Sequence, residues 1–232
     1  MSKLRITRLG HGGILYQSPG DKWLWVDRWS GAPTYVEPSD AQVDVIAPTH
    51  GHFDHVGIEA VDVVDLAAQG GTVVCSHEMS IYLASRGVEA IGMNKGGRVE
   101  AAGIGLNMLH AEHSGGVTIA GDPEATREVG CWGWLIEFED GTRVYHTGDT
   151  ALFGDMALVK DRWAPSITVL PIGGHYTMGP ADAARAVALI GAGVAIPVHY
   201  ATFPILTGTP AELAAATTAT VVALEPGETW EA

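Results

Sequence analysis

Hydrophobic and polar positions alternate from the first residues of the chain. Leu4 to Leu9 alternates, Gly10 to Gly13 punctuates the run, and Ile14 to Gln17 resumes it, the pattern of a β-meander. Ser18-Pro19-Gly20-Asp21 carries turn residues, and Trp23 to Asp27 predicts the next strand. Residues 30–42, rich in Gly, Pro and Ser, predict a loop, and Val43 to Pro48 a short buried strand. That strand delivers the chain directly into the run His50-Gly51-His52-Phe53-Asp54-His55.

The texture changes after residue 58. Ile58 to Ala68 has helical spacing and stops at Gly70-Gly71. Thr72 to Cys75 predicts a strand, and Glu78 to Ser85 a helix ending near Gly87. Residues 98–112 predict one or two strands ending just before His113, and residues 114–130 a polar, glycine-containing loop. Trp132 to Glu139 and Thr142 to His146 are strands joined by the hairpin dipeptide Asp140-Gly141. Ile167 to Ile172 is a strand followed by Gly173-Gly174. Pro180 opens a helix whose stripe is Ala183, Val187 and Ile190, and Gly191 and Gly193 end it. Val194 to Val198 is a strand ending at His199. This alternation predicts an α/β fold: two sheets face to face with helices outside, a four-layer αββα sandwich. No linker divides residues 1–232, so one domain is expected.

Composition narrows the function classes. Of 232 residues, 47% are hydrophobic and 17% charged, a globular balance with a generous interior. The formal net charge of −14 repels a phosphate backbone, so nucleic acid is not an expected partner, although bound divalent cations would make a pocket locally positive. The two cysteines, Cys75 and Cys131, match no zinc-ribbon spacing or disulfide framework and suit free thiols in a reducing cytoplasm. Met1 to Gln17 lacks a signal-peptide apolar core, and no apolar run has the length of a membrane span. A cytoplasmic enzyme acting on a small molecule is expected, with homo-oligomerisation left open.

The chemistry concentrates at residues 50–55. In a tight loop after a strand, His50 and His52 can reach one metal while Asp54 and His55 turn toward a second. Further donors stand at the ends of predicted strands: His113, Asp149 in Thr147-Gly148-Asp149-Thr150, and His199. Singly, each is an ordinary polar strand-end residue; together they make a ligand set. Histidine and carboxylate donors suit divalent ions, zinc first, with manganese or iron as alternatives. No serine or cysteine nucleophile with a triad, no phosphate-binding glycine loop and no dinucleotide fingerprint is present. Gly10-x-Gly12 follows a strand but opens no helix and reads as a turn.

The order His-x-His-x-Asp-His, later His, later Gly-Asp, later His resembles the five-motif signature of the metallo-β-lactamase superfamily, over nearly the whole chain. Tyr145-His146-Thr147-Gly148-Asp149-Thr150, the stretch Pro171 to Pro180, the stretch Val198 to Pro204, and Ile91 to Gly97 resemble a bacterial branch of largely uncharacterised metal-dependent hydrolases related to the L-ascorbate-6-phosphate lactonase. The resemblance implies that His50, His52 and His113 bind one ion, Asp54, His55 and His199 a second, and that Asp149 bridges them. It also implies that Asp27 supports the ligand loop. Water held between two such ions loses a proton near neutral pH and attacks a carbonyl or phosphoryl centre, with Asp54 aiming it.

Three readings compete. A hydrolase of small esters, lactones or amides needs nothing beyond this set. A phosphodiesterase or nuclease shares the fold, but the negative charge and lack of a basic patch weigh against large substrates. A non-catalytic metal-binding module is disfavoured by a ligand set that leaves room for water. A redox diiron enzyme of this fold would favour a carboxylate at the middle of the ligand run and a flavin domain; position 52 is His, which discounts that reading. His175, between Gly173-Gly174 and the helix opened by Pro180, is expected to contact an anionic substrate group or donate a proton, or else to be structural. Asn94 and Lys95 lie in a glycine-flanked loop that could cover the pocket; Tyr200 and the tryptophans at 23, 25, 29, 132, 134 and 163 read as packing residues.

Overall fold

The computed structural model describes residues 2–232, the side chains of 123 and 124 excepted. Six strands come first: β1 (Arg5–Gly10), β2 (Gly13–Gln17), β3 (Trp23–Val26), β4 (Val45–Ile46), β5 (Thr72–Ser76) and β6 (Ala90–Met93). They are followed by β7 (Arg98–Ala101) and β8 (Ile104–His110), a ribbon of β9 (Gly116–Ile119) and β10 (Asp122–Glu128), then β11 (Trp132–Glu137), β12 (Arg143–His146), β13 (Ile167–Pro171), β14 (Val194–Val198), β15 (Thr220–Val221) and β16 (Thr229–Glu231). The helices are α1 (Phe53–Val56), α2 (Val61–Ala67), α3 (His77–Ala84), α4 (Met156–Trp163), α5 (Pro180–Ile190) and α6 (Pro210–Ala216).

One seven-stranded sheet has the order β16-β1-β2-β3-β4-β5-β6, the other β15-β14-β13-β12-β11-β8-β7. Each begins as an antiparallel meander and finishes with parallel strands, β3-β4-β5-β6 in the first and β12-β13-β14-β15 in the second. Parallel strands require crossovers; a loop makes the β3–β4 one and helices supply the rest, which covers the outer faces.

The strands of the second sheet show how period two makes the layers. On β11, Trp132, Trp134 and Ile136 enter the core between the sheets, whereas Leu135 packs outward with α4 and α5. Val144 and Tyr145 on β12 divide the same way, as do Val169 and Leu170 on β13 and Ile196 and Ala195 on β14. The inter-sheet core continues to Val63 and Leu66 of α2 and to Met79 and Leu83 of α3. The result is a four-layer αββα sandwich. No helix among the described residues is long and apolar enough to cross a membrane.

Several elements differ from the sequence expectation. Residues 114–130 form the β9–β10 ribbon; Val117 is buried, but β10 runs Asp-Pro-Glu-Ala-Thr-Arg-Glu and is held by strand pairing, not by an apolar face. The single helix expected over 58–68 is broken, with Glu59 and Ala60 left-handed and α2 starting at Val61. α4 buries only Met156 and Val159 fully, too thin a stripe to read from sequence. α5 starts at Pro180 and closes on left-handed Gly191, as expected.

Candidate metal centre

Four strand ends open on one rim of the sandwich: β4 leads to residues 50–55, β8 to His113, β12 to Asp149 and β14 to His199. The ligand loop is held from below. Thr49 donates its backbone N–H (2.7 Å) and its hydroxyl (2.7 Å) to the two oxygens of Asp27. From the second sheet, Trp132 N donates to Thr49 O (3.0 Å) and Trp134 Nε1 to Pro48 O (3.0 Å). His52 then stands at the N-cap position of the short helix α1, which carries Asp54 in its first turn and His55 in its last.

Backbone strain gathers here. His11, Asp27 and His199 all occupy the left-handed region, at φ of 46°, 53° and 56°. Such conformations cost free energy and persist where surrounding contacts over-determine them. Gly12 is required by space: a Cβ there would lie 2.8 Å from His55 Cε1. Gly148, at φ +63°, needs the glycine conformation, and a Cβ would meet Thr49 and the Trp132 carbonyl at 2.8 Å.

The side chains form two abutting groups. Donor atoms of His50, His52 and His113 lie within 4.8 Å of one another, as do those of His11, Asp54, His55 and His199. Asp149 spans them: its Oδ2 is 3.0 Å from His199 Nε2, 3.3 Å from His55 Nε2 and 3.7 Å from His113 Nε2. Asp54 Oδ2 lies 3.9 Å from His199 Nε2. Behind the cluster, Asp27 Oδ2 is 3.0 Å from His55 Nδ1, a position that favours the His55 tautomer with Nε2 free to ligate.

The electrostatics follow from this crowding. Burial and the neighbouring His55 hold His50 and His52 below the ordinary imidazole range, and burial does the same to His113. Burial also opposes charge on His55, but Asp149 and Asp27 outweigh it and raise that ring well above its usual value. Burial would raise Asp149, yet His199 and His55 pull it well below the carboxylate range. Asp54 is pulled down against burial by His11 and His55.

The donor set fits divalent cations. Asp27 and Asp149 are buried and Asp54 half-buried, and the ionic partners of all three among the described residues are histidines alone, with no Lys or Arg. Buried like charges of this kind call for a counter-charge. Neither ring nitrogen of His55, 1% exposed, meets hydrogen-bond geometry with any partner, although each faces a carboxylate oxygen. His50 Nε2 and His52 Nδ1 face each other at 3.0 Å, nitrogen to nitrogen, as ligands of a common ion do.

All seven residues of the expected ligand set therefore converge. A cleft of about 550 Å³ opens over them, lined beyond the cluster by Phe53, Ser114, Tyr176, Phe203 and Ile205. His175 stands apart. Gly174 and His175 are both left-handed, and the turn they make leaves His175 exposed, its ring edge-on to Tyr176, while Tyr176 lines the cleft. Asn94 and Lys95 are exposed in a loop pinned by Gly96 N to Met108 O and do not line the cleft. Tyr200 packs inward, accepting from Arg8 Nη1 at 2.7 Å. His11 and Thr202 went unread in the sequence; the signal for the first was a histidine held between glycines in Gly10-His11-Gly12-Gly13.

Residues 23–200 match the family model of the β-lactamase superfamily domain. The chain is 41% identical over 249 residues to a UPF0173 metal-dependent hydrolase of Herpetosiphon aurantiacus, covering 99% of this chain and 98% of the relative. It is 42% identical over 237 residues to a protein of the same description from Chloroflexus aurantiacus, covering 96% and 95%. Among solved structures, Igni18, a metallo hydrolase from the hyperthermophilic archaeon Ignicoccus hospitalis, superposes with a TM-score of 0.83 at 31% identity over 100% of both chains.

Proposed function

The chain belongs to the β-lactamase superfamily domain family and is a metal-dependent hydrolase, and from that premise we propose that it cleaves small, uncharged esters, lactones or amides at a two-cation centre. The observation that carries this reading is the position of Asp149, whose single oxygen Oδ2 reaches His113 of one histidine group and His55 and His199 of the other. In this proposal His50, His52 and His113 would hold one ion and Asp54, His55 and His199 the other, with Asp149 available to both. Zinc suits the donors, with manganese or iron as alternatives. Such ions lower the pKa of water and polarise a substrate oxygen.

The protein's own residues do the rest. Asp54 offers a carboxylate acceptor at the cleft floor and orients a proton donor there. Phe53, Phe203, Ile205 and Tyr176 surround the opening, exclude water and receive an apolar substituent. Among the described residues no Lys or Arg lines the cleft, so an anionic group beside the scissile bond, the expectation attached to His175, would meet no cationic side chain there, only the cations themselves.

Elemental analysis of metal-replete protein, joined to a panel of chromogenic lactones, esters and phosphodiesters, tests the proposal. About two ions per chain are expected from the ligand count, with turnover of neutral acyl substrates. Asp149→Ala should deplete both ions. Saturation at one ion, or phosphodiesters turned over in preference to every acyl compound, would overturn it.

A further inference from the structure

The side chain of His11 is completely buried at the junction of three segments: the β1–β2 turn, helix α1 and the loop after β14. Its Nε2 lies 3.1 Å from Asp54 Oδ2, and its Nδ1 2.8 Å from Thr202 Oγ1. Its carbonyl accepts from His199 N at 2.9 Å. The ring packs 4.0 Å from that of His199 and edge-on to Trp29 and Phe203. Both ring nitrogens are thus engaged, unlike those of His55.

We infer that His11 is a positioning residue, aiming the Asp54 carboxylate at the cation shared with His55 and His199 without ligating it. The inference rests on the cluster binding cations as proposed above. The partner of Nε2 is a carboxylate, an acceptor only, so Nε2 carries the hydrogen and donates it. The Thr202 hydroxyl is then placed to donate to Nδ1 and lock that tautomer. One oxygen of Asp54 is held in register while the remaining lone pairs stay directed at the ion, the arrangement by which outer partners fix ligating carboxylates. The left-handed backbone at residue 11 is what turns the ring from the strand into this position. A ring serving only to fill space would need neither hydrogen bond.

Cobalt binding separates this role from simple packing. His11→Phe keeps a ring and removes both hydrogen bonds; His11→Gln returns an amide donor near the Nε2 position; Thr202→Val removes only the lock. Affinity for each of two Co²⁺ ions is measured by chelator competition, with the visible spectrum reporting the coordination sphere. His11→Phe should weaken one of the two ions by roughly 10- to 100-fold, the range for lost outer partners, and alter its spectrum, leaving the other ion in place. His11→Gln should recover part of the loss, and Thr202→Val should show a smaller loss of the same ion. Wild-type affinities and spectra in both His11→Phe and Thr202→Val would overturn the inference while leaving the centre intact. Failure of the wild-type protein to bind cobalt would overturn the centre itself. If His11→Phe does not fold, Thr202→Val decides alone, and unchanged cobalt affinity there is the refuting result.

Discussion

Replacing Asp27 by Asn keeps the side chain's shape and removes its charge at a position 3% exposed. Asp27 meets three groups: the Thr49 N–H, the Thr49 hydroxyl and His55 Nδ1. An amide can satisfy the first with its oxygen, which turns its NH2 toward the other two. A donor facing Nδ1 makes that nitrogen the acceptor and moves the ring hydrogen to Nε2, the atom 3.3 Å from Asp149. For His55 to ligate, the ring must return to the other tautomer, leaving two buried donors opposed at a cost of about 1–3 kcal/mol. At about 1.4 kcal/mol per tenfold, cation affinity should fall roughly 5- to 150-fold, which brackets the usual effect of an outer partner. Competition against a chromophoric chelator measures the loss, and an unfolding curve taken in excess chelator checks the fold. The affected ion should be the one bound with Asp54 and His199. Wild-type affinity in Asp27→Asn would refute tautomer control by Asp27, and equal weakening of both ions would show that it acts through charge or loop position instead.

Trp134→Phe leaves the Pro48 carbonyl without its indole partner and should cost about 1–3 kcal/mol in urea unfolding; unchanged stability would mean that the carbonyl finds another donor. Cys75 and Cys131 are 0% and 2% exposed, and burial pushes the Cys75 thiol up to about 12. Native protein at pH 8 should leave Ellman's reagent uncoloured until denaturant is added, and a rapid native reaction would contradict that burial. Tyr176→Ala removes a ring from the cleft and should raise KM for an aryl ester about fivefold, for roughly 1 kcal/mol of lost apolar contact. His175→Ala should change it less, and the reverse order would put His175 back against the substrate.

The sandwich was legible because most strands alternate and most helices carry local stop and start signals. Pro180 and Gly191 bound α5 in sequence as they do in space. The candidate donor cluster was legible because its densest part is local, six consecutive residues after a buried strand. What escaped had weak or distant causes. β10 has no apolar alternation and is held by its hairpin neighbour β9, while β16 depends on β1, the opposite end of the chain. α6 was not read, although Thr209-Pro210-Ala211-Glu212 forms a capping box. His11 meets Asp54 across the fold and owes its direction to a left-handed backbone, information that no periodicity carries. His175 was given the place of its neighbour Tyr176 because two consecutive left-handed residues reverse which side chain faces inward.

The division of the donors between the two sheets governs how the protein could be taken apart. His50, His52, Asp54 and His55 follow the first sheet, and His113, Asp149 and His199 the second. A backbone cut in the turn at Asn94–Gly97, between β6 and β7, would yield two fragments, each holding part of each donor group. A divalent ion bound only by the joined pair favours reassembly by mass action, in proportion to the logarithm of its concentration over its dissociation constant. Bound as proposed, the ion would serve as a reversible fastener between the two lobes, and chelation as its release.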